Sequence, residues 1–150
     1  MATIEKSIEV NVPQSYVYNQ WTSFSEYPRF MEGVKEVYRV VDGSCYHWKA
    51  RVPGQDPEWD AVITERTEHQ RLAMTYRSGA IKGFVVTVDE VSKDWSKVTM
   101  QVDYDPEGFK DNSGDASGVM SLRVQGDLER FKSFIEGRGN HSPFADWQMM

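Results

Sequence analysis

The chain has 150 residues but only one cysteine, Cys45, and three histidines, His47, His69 and His141. One cysteine excludes an internal disulfide, and these four residues show no zinc-ligand spacing. No apolar run approaches the ~20 residues of a membrane-spanning helix. The opening MATIEKSIEV lacks the basic-then-apolar order of a secretory signal. Positive charge is in the minority: 17 Lys and Arg against 23 Asp and Glu leave a net charge of -6. That balance argues against non-specific nucleic-acid binding and against an anionic membrane surface. No G-x-S-x-G elbow supports a hydrolase, and Gly108, Gly114 and Gly118 build no phosphate loop. A cytoplasmic protein with no metal, no cofactor and no nucleic-acid partner is the expectation. At this length one domain is favoured, able to bury about 70% of its unfolded surface.

The patterning is rich. Thr3 to Val12 alternates apolar and polar residues, with Lys6 the one break in its apolar face, and reads as a strand. Pro13 suits the first turn of a helix reaching Trp21 and burying Val17, Tyr18 and Trp21. An aromatic stretch follows, with a second short helix expected around Glu26 to Met31. From Val34 the period becomes two. Strands are expected over Val34–Val41, Tyr46–Val52, Glu58–Thr67, Arg71–Ser78, Phe84–Val91 and Lys97–Tyr104, separated by turn residues such as Asp42-Gly43 and Pro53-Gly54. Short connections imply an antiparallel meander. From Asp115 to Glu136, Val119, Met120, Val124, Leu128, Phe131 and Ile135 recur at three- and four-residue steps on one helix face, and Gly137 suits its end. A helix with that stripe must bury it against the sheet. The fold class is therefore α+β: a curved antiparallel sheet of about seven strands, two short helices after the first strand and a long C-terminal helix, the helix-grip order. The domain is expected to span residues 1–138, leaving 139–150 as a tail.

Two blocks carry a family resemblance. One runs from Val12-Pro13 through Val17-Tyr18-Asn19-Gln20-Trp21-Thr22-Ser23-Phe24 to Tyr27-Pro28-Arg29-Phe30-Met31-Glu32-Gly33-Val34. The other runs from Asp105-Pro106-Glu107-Gly108-Phe109 into Arg123-Val124-Gln125-Gly126-Asp127-Leu128-Glu129-Arg130-Phe131-Lys132. Trp59-Asp60-Ala61 with Ile63-Thr64-Glu65 is a weaker third match. Together they resemble the START-like SRPBCC superfamily, in its polyketide cyclase/dehydrase and coenzyme Q-binding branch, as found in small stand-alone bacterial members. The resemblance implies a helix-grip (START/Bet v 1-like) fold with a cavity between sheet and helix. It does not fix a reaction, because one fold hosts many functions.

Alternation nominates the cavity-facing residues. These are Tyr46 and Trp48; Trp59 and Ala61; Met74 and Tyr76; Phe84 and Val86; Met100, Val102 and Tyr104. Met120, Arg123 and Val124 come from the helix, and Phe24, Tyr27, Phe30 and Met31 from the aromatic segment near the mouth. A mostly apolar cavity of several hundred Å3 with few polar groups is the usual form of a small-molecule site. It would suit a flat, hydrophobic, partly oxygenated ligand. Taken one at a time, most of these residues read as plain core, and it is as a set that they suggest a cavity. Tyr46, Tyr76, Tyr104, Arg123 and Asp127 are the acid/base candidates, since an aldol closure or dehydration needs enolate stabilisation and proton transfer. Arg123 could reach inward, although its i, i+4 spacing to Asp127 fits a surface ion pair better. Cys45 and His47 share the strand face opposite Tyr46 and Trp48. That face should point outward, which makes a nucleophilic pair improbable. Asp56, Glu58 and Asp60 read as a solvated acidic edge rather than a metal site. The glycine-bearing stretch Pro106 to Gly118 could form one lip of the mouth, with Phe109 and Phe30 gating it.

Three readings follow: a binder of an aromatic, isoprenoid, lipid, quinone or polyketide-like molecule acting as carrier or sensor; a polyketide cyclase or dehydratase; or a protein acting through a partner docked on Phe144 and Trp147. Either a monomer or a homodimer paired through an edge strand is compatible.

Overall fold

The computed structural model describes residues 2–31, 33–40, 44–50, 56–79, 81–105 and 116–139. The strands are β1 (Ala2–Val10), β2 (Val34–Arg39), β3 (Cys45–Ala50), β4 (Glu58–Thr67), β5 (Arg71–Tyr76), β6 (Ile81–Ser92) and β7 (Trp95–Tyr104). Helix α1 (Gln14–Trp21) and a 3-10 helix (Phe24–Arg29) lie between β1 and β2, and α2 (Ala116–Gly139) comes last. All strand pairs are antiparallel, in the order β1-β7-β6-β5-β4-β3-β2. After β1 the chain crosses through the two short helices to the far edge. It then winds back hairpin by hairpin until β7 pairs with β1.

Period-two patterning becomes one buried face. Inner residues meet inner residues across the ladders: Trp48 opposite Trp59, Ala61 opposite Tyr76, Met74 opposite Phe84, Phe84 opposite Val102 and Val86 opposite Met100. The helix stripe closes over that face. Leu128, Phe131 and Ile135 are buried with Val10, Val12, Val17 and Trp21, and the Trp21 and Phe131 rings lie 4.7 Å apart. Polar contacts hold α2 against the β1 edge. The Lys132 ammonium donates to the Glu9 carbonyl at 2.9 Å, and the Asn11 N–H donates to the Glu136 carboxylate at 2.9 Å.

Several boundaries differ from expectation. The second short helix is 3-10 and starts earlier, at Phe24, because Pro28 lacks the N–H a longer helix would use. Pro13 caps α1 from outside, its carbonyl accepting from Tyr16 and Val17. Helix α2 passes Gly137 and ends at Gly139. Cys45, expected to point outward, is buried beside its cross-strand neighbour Val62, since an outer face with apolar pairs is not wholly solvated. Phe109 and the tail aromatics Phe144 and Trp147 lie outside the described residues.

Candidate ligand-binding cavity

The two halves of α2 do different work. Its C-terminal half packs onto an aromatic plug in which Trp21 meets Tyr27 and Phe30 edge to face, and Phe131 packs against Trp21 and Phe30. Its N-terminal half stands over a cavity lined by Met31, Val34, Trp48, Trp59, Tyr76, Ile81, Phe84, Met100, Val102, Met120, Arg123, Val124 and Asp127.

Ten of the nominated residues are among these. The other eight, Phe24, Tyr27, Phe30, Tyr46, Ala61, Met74, Val86 and Tyr104, are core residues that do not line the cavity. Phe30, considered as a gate, is 1% exposed and wedged between Trp21, Phe131 and Phe134. Tyr27 is spent inside the core as well. Its hydroxyl donates to the Trp21 carbonyl, and burial holds its phenol well above the ordinary range. Val34 and Ile81 were not nominated: each sits at a strand end, where alternation is too short to assign a face.

The cavity volume is about 50 Å3, far below the several hundred Å3 expected. The aromatic plug accounts for the difference. Three methionines, Met31, Met100 and Met120, line what remains. Their unbranched side chains change rotamer at low cost, so the volume is adjustable.

The polar groups gather on two walls. On the sheet side Trp48 and Trp59 stack with ring centroids 5.7 Å apart and planes 20° from parallel, and Tyr76 stands 5.4 and 5.3 Å from them. Burial pushes the Tyr76 phenol well above its ordinary range, against the opposing pull of Arg123 and with a push from Asp127, so it remains a protonated donor. On the helix side are Arg123 and Asp127. Asp127, expected at the surface, is buried instead. Asp127 is 3% exposed, and its Oδ1 accepts from the Arg130 guanidinium at 2.5 Å, one turn along the helix. Arg130 also donates to the Phe30 carbonyl at 3.2 Å, tying α2 to the plug. Gly126 makes room for this: a Cβ there would lie 3.2 Å from the Arg130 guanidinium.

The opposite sheet face carries a separate cluster. His47 is hydrogen-bonded on both ring nitrogens, Nδ1 to Asp60 at 2.8 Å and Nε2 to Glu58 at 2.7 Å. Among the described residues no group of three or more His, Cys, Asp and Glu is placed to hold a metal ion. No helix among them is long and apolar enough to cross a membrane.

Residues 10–133 match the family described as polyketide cyclase / dehydrase and lipid transport. The chain belongs to that family. An uncharacterised 17.2 kDa protein of Streptomyces lincolnensis, from the melC2-rnhH intergenic region, is 41% identical over 143 residues, covering 95% of each chain. Among solved structures, the Zhui aromatase/cyclase of Streptomyces sp. R1128 superposes with a TM-score of 0.74 at 12% identity, over 91% of this chain and 94% of that one. The di-domain aromatase/cyclase BexL of the BE-7585A biosynthetic pathway does so with a TM-score of 0.73 at 20% identity, over 91% of this chain and 47% of that one. At such identities the likeness establishes the polyketide cyclase/dehydrase fold, a START-like helix grip, and leaves the chemistry to the cavity.

Proposed function

We propose that this protein binds a hydrophobic small molecule between the sheet and the N-terminal half of α2. The observation that carries this reading is the cavity wall: a largely apolar, aromatic lining with a few polar groups at defined places, as small-molecule sites are built. A volume of about 50 Å3 holds only a few water molecules. Binding therefore requires the methionine trio to swing aside, and the ligand brings its own space by displacing flexible chains. The aromatase/cyclase neighbours and the family description support a polyketide-like ligand, with a quinone or lipid as the alternative cargo.

Cyclase or dehydratase chemistry is the second reading, favoured by the convergence of Tyr76, Arg123 and Asp127 on one small volume. Tyr76, protonated at neutral pH, and Arg123 are suited to stabilise an enolate oxygen, while a proton moves through ordered water. Asp127, held by Arg130, fixes the electrostatics of the helix wall.

Native mass spectrometry of freshly purified protein, followed by solvent extraction, tests the binding reading. A stoichiometric organic adduct is the expected result. An apo mass, together with no change in tryptophan fluorescence on titration with 1-anilinonaphthalene-8-sulfonate, would overturn it.

A further inference from the structure

Trp48 and Trp59 face each other across the β3–β4 ladder. Both indole Nε1 atoms are buried, and neither has a hydrogen-bond partner among the described residues. An indole N–H can only donate. Leaving one buried and unmade is costly, and here two such donors stand side by side on one wall. Trp21 carries a similar orphan Nε1, but it packs into the plug and is not part of this cavity's lining. What sets Trp48 and Trp59 apart is adjacency to each other and to open volume. The next polar groups of the lining are also donors: the Tyr76 hydroxyl and the Arg123 guanidinium. The one carboxylate there, Asp127, already accepts from Arg130.

A lining of stacked rings and donors selects for a flat molecule with acceptor oxygens. We propose that Trp48 and Trp59 are specificity-determining residues whose indole N–H groups receive carbonyl oxygens of a planar aromatic ligand, and that the protein selects such ligands over fatty acyl and isoprenoid chains. This rests on the reading of the cavity as a ligand site. An apolar chain would leave both donors unmade, whereas a ring carbonyl satisfies them and lies between aromatic faces. The penalty present in the empty protein thereby becomes affinity for one chemical class.

The test uses two soluble probes of equal charge and similar shape, anthraquinone-2-sulfonate and anthracene-2-sulfonate, with laurate as the chain-like competitor. Affinities are measured by calorimetry on the wild type and on Trp48→Phe and Trp59→Phe, with folding checked by circular dichroism. Trp59 is only partly buried, so Trp59→Phe remains informative if Trp48→Phe fails to fold. The expected result is a preference of about tenfold or more for the quinone, equivalent to about 1.4 kcal/mol. Each Phe variant should weaken the quinone more than the anthracene, so that the preference falls several-fold. Equal affinity for the two probes, a preference unchanged in the folded variants, or tighter binding of laurate would each overturn the donor assignment while leaving the cavity as a binding site. If no probe binds, the cavity reading fails and this inference fails with it.

Discussion

Substitution of Gly83 by alanine is expected to damage the fold out of proportion to one methyl group. Gly83 lies opposite Thr75 in the β5–β6 ladder, just past an irregularity in the pairing of β6 with β7. A Cβ there would sit 2.4 Å from the Met74 carbonyl oxygen, 3.1 Å from the Thr75 Cα and 3.3 Å from the Met74 carbonyl carbon. All three neighbours are backbone, so no side chain can rotate away. The strands must part by about an ångström to restore ordinary contact. Overpacking costs about 1–3 kcal/mol, and with a rigid partner the upper end applies, so we expect a loss of about 3 kcal/mol. For a chain of this size that lowers Tm by about 6–12 °C. Urea unfolding followed by tryptophan fluorescence, with m unchanged, measures the free energy directly. Gly79→Ala is the matched control. Its φ is +93°, but nothing lies within 4 Å of the added Cβ, so only backbone strain of about 1 kcal/mol applies. Because Met74 pairs with Phe84, a cavity-lining residue, Gly83→Ala should weaken probe binding as well. A Gly83→Ala loss no larger than that of Gly79→Ala would refute the steric reasoning.

Two other substitutions probe different physics. His47, hydrogen-bonded first by Asp60 and then by Glu58, has its pKa raised against a small opposing effect of burial. Its protonated form is thus bound more tightly in the folded state, and the stabilisation is complete below the ordinary His value of about 6.5 and disappears as pH rises through the raised one. Glu58, lowered mainly by its bond to His47, loses its own contribution as pH falls through its depressed value. The Tm gap between wild type and His47→Gln should therefore be widest near pH ~5–6 and close toward pH ~9; a gap constant over that range would exclude the ion cluster as its origin. Leu128→Ala empties a fully buried site beneath α2 and should cost about 3–5 kcal/mol by chemical denaturation, whereas a loss under about 1 kcal/mol would mean that α2 is not seated as described.

Much of the architecture was legible because it rests on period. Alternation placed Trp48, Trp59, Tyr76, Phe84, Met100 and Val102 on the inner face, and the three- and four-residue steps of Met120, Val124 and Leu128 gave the facing helix. Period cannot say whether an inward residue meets another side chain or open volume. Tyr46 and Tyr104 alternate as regularly as Tyr76, yet of the three only Tyr76 borders the cavity, and Tyr46 packs against Phe24 instead. Asp127 departs from expectation for a related reason. An i, i+4 partner on a helix suggested the surface, while the i+3 Arg130, with room over Gly126, takes the carboxylate in the buried geometry. Neither orphan indole leaves a trace in the sequence, since an unmade hydrogen bond is a property of the assembled neighbourhood.

The pairing of β3 with β4 places Trp48 opposite Trp59 on the inside and His47 opposite Asp60 on the outside. A slip of one residue in either strand during folding would exchange those faces, turning a histidine, a lysine or acidic groups toward an apolar interior. Such a mispairing would break both bonds of His47 to the carboxylates flanking Trp59. The outer ionic cluster therefore works as a proofreader of alignment: it rewards only the register in which the inner wall is aromatic, and an error of one position in this hairpin would be penalised on both faces at once.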